Sequence, residues 1–338
     1  MTITLIDVAA RAGVSLATAS RVLSKSTYGV AEELRERVLA AAEELRYVPN
    51  AHARALVRNK TSTVGVIVGD VSDPYFSEIV RGIQRVAGEA GRLVTICNSY
   101  REPDRELSYV ELLHAQRVEA IVLAGSGLDD LAHSRKMASR LEAFADSGGK
   151  VSLIGRHHLL GDRVVPDNFG GARALGEALL GLGHRRFGVL SGPKVLTSTH
   201  DRLAGFRAAL GKAGVALHPK GVVDGDLSRD GGARATQELL DRALGVTAVF
   251  AMNDQQAIGA LAALRERGVA VPGEISLAGF DDIPIACDLN PQLSTVRLPL
   301  VEMGERALLM ALRPSGPGLR VEHLRAEVIL RSSTAPRE

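Results

Sequence analysis

The apolar positions of the first 48 residues fall three and four apart, the spacing that gathers side chains on one face of a helix. Ile6, Ala9 and Ala10 make the first stripe. It is opened by Thr4-Leu5-Ile6-Asp7, where the Thr4 hydroxyl and the Asp7 carboxylate can satisfy early amides as a capping box. Ala12-Gly13-Val14 makes a turn. Ser15 then caps a second helix that turns Ala19, Val22 and Leu23 inward. A polar loop from Ser24 to Gly29 leads to a third helix carried by Leu34, Val38, Leu39, Ala42 and Leu45, and Pro49 stops it. Residues 50–61 are helix-compatible, short and basic, and read as a linker that orders only on contact.

From residue 63 the period changes. Val64-Gly65-Val66-Ile67-Val68 is a continuous apolar run, as in a strand buried on both faces. A helix follows Pro74. Then come strand Leu93–Cys97, a helix from Asp104, strand Ala120–Ala124, a helix near His133–Ser147 and strand Val151–Gly155. A second series runs through strand Phe187–Ser191, a helix from about Thr199, strand Val222–Val223, a helix from Asp230, strand Ala248–Ala251, a helix from Asp254 and strand Ile275–Phe280. Alternation of this length predicts parallel sheets with helices on both faces. About ten strands fit two subdomains better than one sheet.

Composition adds little to this, and charge distribution adds more. The 338 residues are 46% hydrophobic and 24% charged, which suits a soluble globular chain of two or three domains. No apolar run is long enough for a membrane span, and no basic-then-apolar leader opens the chain, so neither a membrane protein nor a secreted one is expected. Cys97 and Cys287 lack metal-site spacing and suit buried thiols in a reducing cytoplasm. The net charge is only +2, yet residues 1–60 hold nine Lys/Arg against six Asp/Glu. A basic head on a near-neutral body points to a polyanion partner for the head.

The segment Asp7-Val8-Ala9-Ala10-Arg11-Ala12-Gly13-Val14-Ser15 followed by Thr18-Ala19-Ser20-Arg21-Val22-Leu23 has helix–turn–helix spacing. The N-terminus of its second helix favours phosphate, Ser15 and Thr18 can donate hydrogen bonds, and Arg21 carries a fork suited to guanine. Residues 3–60 resemble the DNA-binding head of the lactose-repressor (LacI/GalR) family. The match continues through Leu34-Arg35-Glu36-Arg37-Val38, Leu45-Arg46-Tyr47-Val48-Pro49-Asn50 and Ala53-Arg54-Ala55-Leu56. The resemblance extends to about residue 332. It implies that Leu16, Ala17 and Arg21 read bases, with Thr4, Ser15, Thr18, Ser20, Tyr47, Asn50 and Arg54 at or near the DNA. Leu16 and Ala17 can touch thymine methyls but cannot make bidentate bonds, so discrimination should rest more on Arg21. Leu56 would be the apolar wedge of a hinge that kinks the central minor-groove step, at a cost of roughly a few kcal/mol.

By the same resemblance, the body has the periplasmic sugar-binding fold, two crossed α/β subdomains around a cleft. Asp73, Tyr75 and Phe76 follow the first strand. Arg202 matches an Arg that grips hydroxyls or a carboxylate, Asn253 a sugar-binding Asn, and Asp281 an Asp that accepts hydroxyl hydrogens. Asp254 is expected to cap the helix that follows it, and Asp281 or Arg202 could equally be a turn cap or a solvated residue. Leu227 stands where several members carry an aromatic platform, and Leu196 where a purine-responsive member carries a hydrogen-bonding residue. A nucleobase effector is therefore disfavoured, and stacking on a sugar falls to Tyr75, Phe76 or Phe169.

No G-x-G-x-x-G, P-loop, nucleophile elbow or metal-type His cluster occurs, and adjacent His157 and His158 should point apart. The expectation is thus a cytoplasmic non-enzyme without cofactor or metal. Its helix–turn–helix head (1–48), hinge (49–61) and core (62–332) would bind near-palindromic double-stranded operator DNA as a homodimer under control of a small molecule, a sugar or sugar derivative. The core would divide into an N-subdomain of about 62–163 and 293–322 and a C-subdomain of about 164–292 and 323–332. Three alternatives stay open: a periplasmic sugar-binding protein, a regulator with a non-sugar effector or co-repressor, and an enzyme on the same scaffold. No leucine heptad closes the chain, so a dimer rather than a tetramer bundle is expected.

Overall fold

The computed structural model describes residues 3–23, 29–48, 61–159, 161–313 and 318–337. They fall into two compact units, Met1–Thr61 and Ser62–Glu338. The expected hinge, with Asn50, Arg54 and Leu56, lies outside the described residues.

The first unit contains α1 (Leu5–Ala12), α2 (Leu16–Leu23) and α3 (Glu32–Glu44). The capping box forms: the Thr4 amide donates to Asp7 Oδ2 at 2.8 Å and its hydroxyl to the same oxygen at 2.7 Å. These bonds from Thr4 hold the Asp7 carboxyl below its ordinary range. The buried stripe of α1 is Val8, Ala9 and Ala12, not the expected Ile6-Ala9-Ala10, and Ile6 is 66% exposed. Val8 and Ala12 are one turn apart and meet Ala19, Val38, Ala41 and Ala42, which fixes the phase. Leu39, about 100° around α3 from Val38, is likewise exposed. Gly13 ends α1 at φ +62°, where Arg37 donates to the Ala12 carbonyl at 2.6 Å. A Cβ there would lie 2.7 Å from that guanidinium, so both conformation and space favour glycine.

In the second unit, strands β1 (Thr63–Val68), β2 (Leu93–Asn98), β3 (Ala120–Ala124), β4 (Lys150–Ile154) and β5 (Asp162–Pro166) join β11 (Val321–Leu324) in one sheet. Its order is β11-β5-β4-β3-β1-β2, parallel throughout. A second parallel sheet has the order β7-β6-β8-β9, from β6 (Phe187–Ser191), β7 (Val222–Asp224), β8 (Ala248–Ala251) and β9 (Ser276–Ala278). A ribbon of β10 (Thr295–Arg297) and β12 (Glu327–Ile329) runs antiparallel, and bridges Ala278–Ser294 and Asp281–Arg297 extend the second sheet toward it.

The period of two sorts each strand between layers. Val64, Val66 and Val68 face Ile79 and Ile83 of α4 (Pro74–Glu89) and Met303 and Ala307 of α11 (Leu300–Leu312). Ile67 faces Leu107 and Val110 of α5 (Pro103–Ala115) and Met137 of α6 (Leu131–Asp146). In the second sheet Phe187 and Val189 pack on α7 (Asn168–Gly181) and α8 (Thr197–Lys212). Leu190 packs with α9 (Arg229–Asp241) and α10 (Asp254–Glu266) on the other face. Both sheets are thus doubly wound. The chain passes between the lobes after Pro166, after Arg297 and after Leu324; the expected turnovers near 163 and 322 fall inside β5 and β11, which stay paired with each other. Cys97 is buried as expected, whereas Cys287 is exposed.

Helices α4 and α11 cross at two glycines. A Cβ on Gly82 would sit 2.0 Å from the Val301 carbonyl oxygen, and one on Gly304 2.0 Å from that of Ile79. Backbone cannot yield as a side-chain tip can. Gly304→Val should therefore destabilise the core by at least about 1–3 kcal/mol. Urea midpoints of the two proteins check this, and an unchanged midpoint would show that the crossing can open.

Candidate effector cleft and DNA-reading head

The centre of the second unit is a buried cation. Arg202, on α8, is 6% exposed. Its Nε donates to Asn168 Oδ1 at 2.8 Å, Nη1 to the Met252 carbonyl at 2.5 Å and Nη2 to Asp281 Oδ1 at 2.8 Å. The face of Phe280 lies 3.9 Å from its guanidinium carbon. Phe280 ends a row of rings, Phe187–Phe206–Phe250–Phe280, with centroids 5.6, 5.0 and 6.4 Å apart. The core of the second lobe thus runs directly beneath the site.

Asp281 is held as tightly. It sits at φ +110°, a strained backbone for a residue with a side chain, and its amide donates to the Val296 carbonyl at 2.8 Å. Next to it, Asp282 accepts from Arg297 and Arg331, each at 2.7 Å. Burial pushes the Asp281 carboxyl up to about 7, against the pull of Arg202. Asn253, rather than Asp254, caps α10: its Oδ1 accepts the Gln256 amide at 2.9 Å, while its Nδ2 donates to the Leu227 carbonyl at 2.9 Å. Asp254 turns to the strand loops. It accepts from the Thr295 hydroxyl at 2.6 Å and the Ile283 amide at 2.9 Å, so the expected capping role passes to its neighbour.

These groups border a cleft with about 570 Å³ of empty space, counted out to solvent. Asp73, Tyr75, Phe76, Arg202, Leu227, Asn253 and Asp281 all line it, each from the C-terminal end of a strand or the helix after it. Asp73 caps α4, accepting the Tyr75 amide at 3.0 Å, and burial raises its carboxyl. Tyr75 and Phe76 meet edge to face at 4.9 Å. Phe169 is the exception. It does not belong to the lining and is 43% exposed. Its neighbour Asn168 takes the inward position beside Arg202, and successive helical residues point about 100° apart.

Sequence reasoning missed Arg101, Glu106, Ser126, Leu128 and Ser198, which also line the cleft, and Leu196 lines it as an apolar wall. Several of these form a clasp between the lobes. Leu128 and Leu196 make an antiparallel bridge; the Asp129 amide donates to the Val195 carbonyl at 2.7 Å and the Thr197 amide to the Gly127 carbonyl at 3.0 Å. Beside it Arg156 grips Asp201 with two bonds, at 2.9 and 2.8 Å. His157 and His158 diverge as expected. The buried His157 donates through Nε2 to Gly125 and Ile154 carbonyls at 3.0 Å, and His158 lies 3.2 Å from Asp129.

In the head, the Ser15 hydroxyl caps α2, accepting the Thr18 amide at 3.1 Å, and lies 2.8 Å from the Thr18 hydroxyl. Leu16, Ala17, Ser20 and Arg21 are exposed on α2. Thr4 is exposed at the start of α1. Tyr47 packs on the head's core, its amide bonded to the Ala42 carbonyl at 2.8 Å after Arg46 turns the chain at φ +49°. Among the described residues no helix is long and apolar enough to cross a membrane.

A helix–turn–helix with a presented second helix, on one chain with a two-lobed polar cleft, defines a ligand-responsive DNA-binding regulator. Residues 4–50 match the model of the bacterial regulatory proteins of the lacI family, and residues 177–334 that of a periplasmic binding protein-like domain. The chain is 39% identical over 321 residues to the HTH-type transcriptional regulator GalS of Salmonella typhimurium, covering 92% of this chain and 89% of that protein. Among solved structures it is similar to the lac repressor dimer bound to operator and the anti-inducer ONPF, with a TM-score of 0.87, 27% identity and coverage of 99% and 100%. It is also similar to the transcriptional regulator CelR in complex with cellobiose, with a TM-score of 0.71, 30% identity and coverage of 98% and 99%. The chain belongs to the lacI family and is a DNA-binding transcriptional regulator, not an enzyme.

The Asp281 carboxyl, raised from about 4 in the unfolded chain to about 7 in the fold, binds more protons when folded across that window. Its contribution to stability is therefore largest at low pH and is lost as pH rises to about 7. The stability of the natural protein minus that of Asp281→Asn, from urea midpoints, should fall between pH 5 and about 7 and level off above. A flat difference would show that Arg202 keeps Asp281 charged throughout.

Proposed function

We propose that this protein is a transcriptional repressor that holds near-palindromic operator DNA as a homodimer, in the cytoplasm, and that a sugar or sugar derivative in the cleft switches its operator affinity. The observation that carries this reading is the cleft's polar lining. Arg202, Asp281, Asp73 and Asn253 converge there beside Tyr75 and Phe76. Carboxylates accept from hydroxyls, a guanidinium donates to them, and aromatic faces cover the apolar side of a sugar ring. Relatives with operator DNA, an anti-inducer or cellobiose bound support the same assignment. Leu227 and Leu196 supply no platform or donor for a nucleobase, which favours a sugar.

The mechanism needs two states of the core that the ligand binds unequally. The cleft walls come from both lobes, so a ligand that bridges them changes how firmly they close. In the head, Leu16 and Ala17 present only carbon to a major groove, and Arg21 carries the hydrogen-bonding readout. Thr4, Ser15, Thr18, Ser20 and Tyr47, with Asn50, Arg54 and Leu56, are assigned to the DNA on the same reading.

Fluorescence anisotropy on operator and random duplexes tests the head. Arg21→Ala should lose about 1–3 kcal/mol on operator and little on random DNA at matched salt. Equal losses on both would reduce Arg21 to a phosphate contact. A thermal-shift screen of sugars tests the cleft, with Asp281→Asn, which keeps a hydrogen-bonding oxygen for Arg202, expected to lose the ligand response and keep operator binding.

A further inference from the structure

The charges around the cleft do not pair evenly. Arg202 is matched by Asp281 at 2.8 Å, and Arg101 lies 3.9 Å from Asp73. Glu106, on α5, lines the same cleft with its side chain only 17% exposed, yet no arginine or lysine among the described residues pairs with it. Its nearest donors are poor. The Ser99 hydroxyl is 3.4 Å from Oε1 and 3.0 Å from the Val68 carbonyl, so the carboxylate must share its one proton with a closer acceptor. His133 Nε2 is 3.5 Å from Oε2, beyond an ordinary hydrogen bond, and is a cation only when protonated. The nearby imidazole of His157 is held neutral by burial, and its Nε2 proton is shared between two carbonyls. A carboxylate removed from most of its water and without a full-strength donor is costly to leave so. A ligand that supplies donors relieves that cost, and one that brings negative charge adds to it.

We infer that Glu106 is a specificity-determining residue of the cleft, which accepts hydrogen bonds from ligand hydroxyl or ammonium groups and so selects neutral and amino sugars over phosphorylated ones. This rests on the sugar reading of the same cleft. It also separates Glu106 from the Arg202–Asp281 pair: that pair is satisfied internally before a ligand arrives, whereas Glu106 is completed by one.

Isothermal titration of the full chain with matched trios tests this: glucose, galactose and mannose, each beside its 2-amino derivative and its 6-phosphate. In the trio that binds, the 6-phosphate should be at least about tenfold weaker than the neutral sugar. Glu106→Gln, which keeps the shape, should weaken the neutral sugar about tenfold and the amino sugar more, and narrow the gap to the phosphate. Its unliganded melting temperature should equal or exceed that of the natural protein, since the variant removes the uncompensated charge, so that a loss of affinity is not a loss of folding. If Glu106→Gln leaves all affinities unchanged while Asp281→Asn removes binding, Glu106 has no such role and the sugar reading stands. Glu106 loses its role equally if the 6-phosphate binds the natural protein as tightly as the neutral sugar. If no trio binds a protein that still holds operator, the sugar reading fails and this inference with it.

Discussion

A guanidinium withdrawn from water loses several kcal/mol of hydration unless its donors are met in the right plane. Arg202 meets this demand on three sides, and each partner belongs to a different part of the fold: Asn168 from the helix after the first lobe crossing, Met252 from the end of β8, and Asp281 from the loop after β9. Satisfying one charge therefore fixes three segments relative to α8. The strained backbone at Asp281, the grip of Arg297 and Arg331 on Asp282 and the brace from Asp254 hold the loop that supplies the counter-charge. The row of rings from Phe187 to Phe280, packed edge to face and tilted, lies beneath the arrangement as its floor. A site built in this way presents its polar groups in a preset geometry rather than gathering them when a ligand arrives.

The two lobes contribute unequal chemistry to the cleft. The second lobe offers the internally balanced Arg202–Asp281 pair and an Asn253 whose amide is already bonded through both its oxygen and its nitrogen. The first offers Asp73, engaged at 3.0 Å as the cap of α4, with Arg101 and Glu106, whose contacts run from 3.4 to 3.9 Å. One wall is stiff, and the other has bonding capacity in reserve. That division suits a sensor, because a ligand held by the stiff wall can gain further contacts only by drawing the other toward it.

Much of this is legible in the chain alone, for identifiable reasons. Buried parallel strands such as Val64–Val68 and Ala248–Ala251 are continuous apolar runs and stand out. Strands β5 and β11 escape the pattern because they lie toward one edge of the sheet and carry charge, as in Asp162-Arg163 and Glu322-His323. The phase of α1 is misread when Ile6 is taken as an inward residue: apolar character alone does not tell a core position from one left exposed. In the cleft, Arg202 and Asp281 are found through motif resemblance at strand ends. Glu106 is not, because a glutamate in the first turns of a charged helix looks like a solvated one, and only folding shows that it faces the cleft. Ser126, Ser198 and the Leu128–Leu196 bridge are invisible in sequence because they arise from a loop and the start of α8, about 70 residues apart. Phe169 attracts notice for its aromatic character, but helical geometry gives the inward place to Asn168.

The clasp beside the cleft carries a consequence in time. The two backbone bonds of its Leu128–Leu196 bridge and the doubly bonded Arg156–Asp201 pair link one lobe to the other. Parting the lobes has to break these links as well as the contacts of any ligand that bridges the same walls, so the fastening raises the barrier to opening.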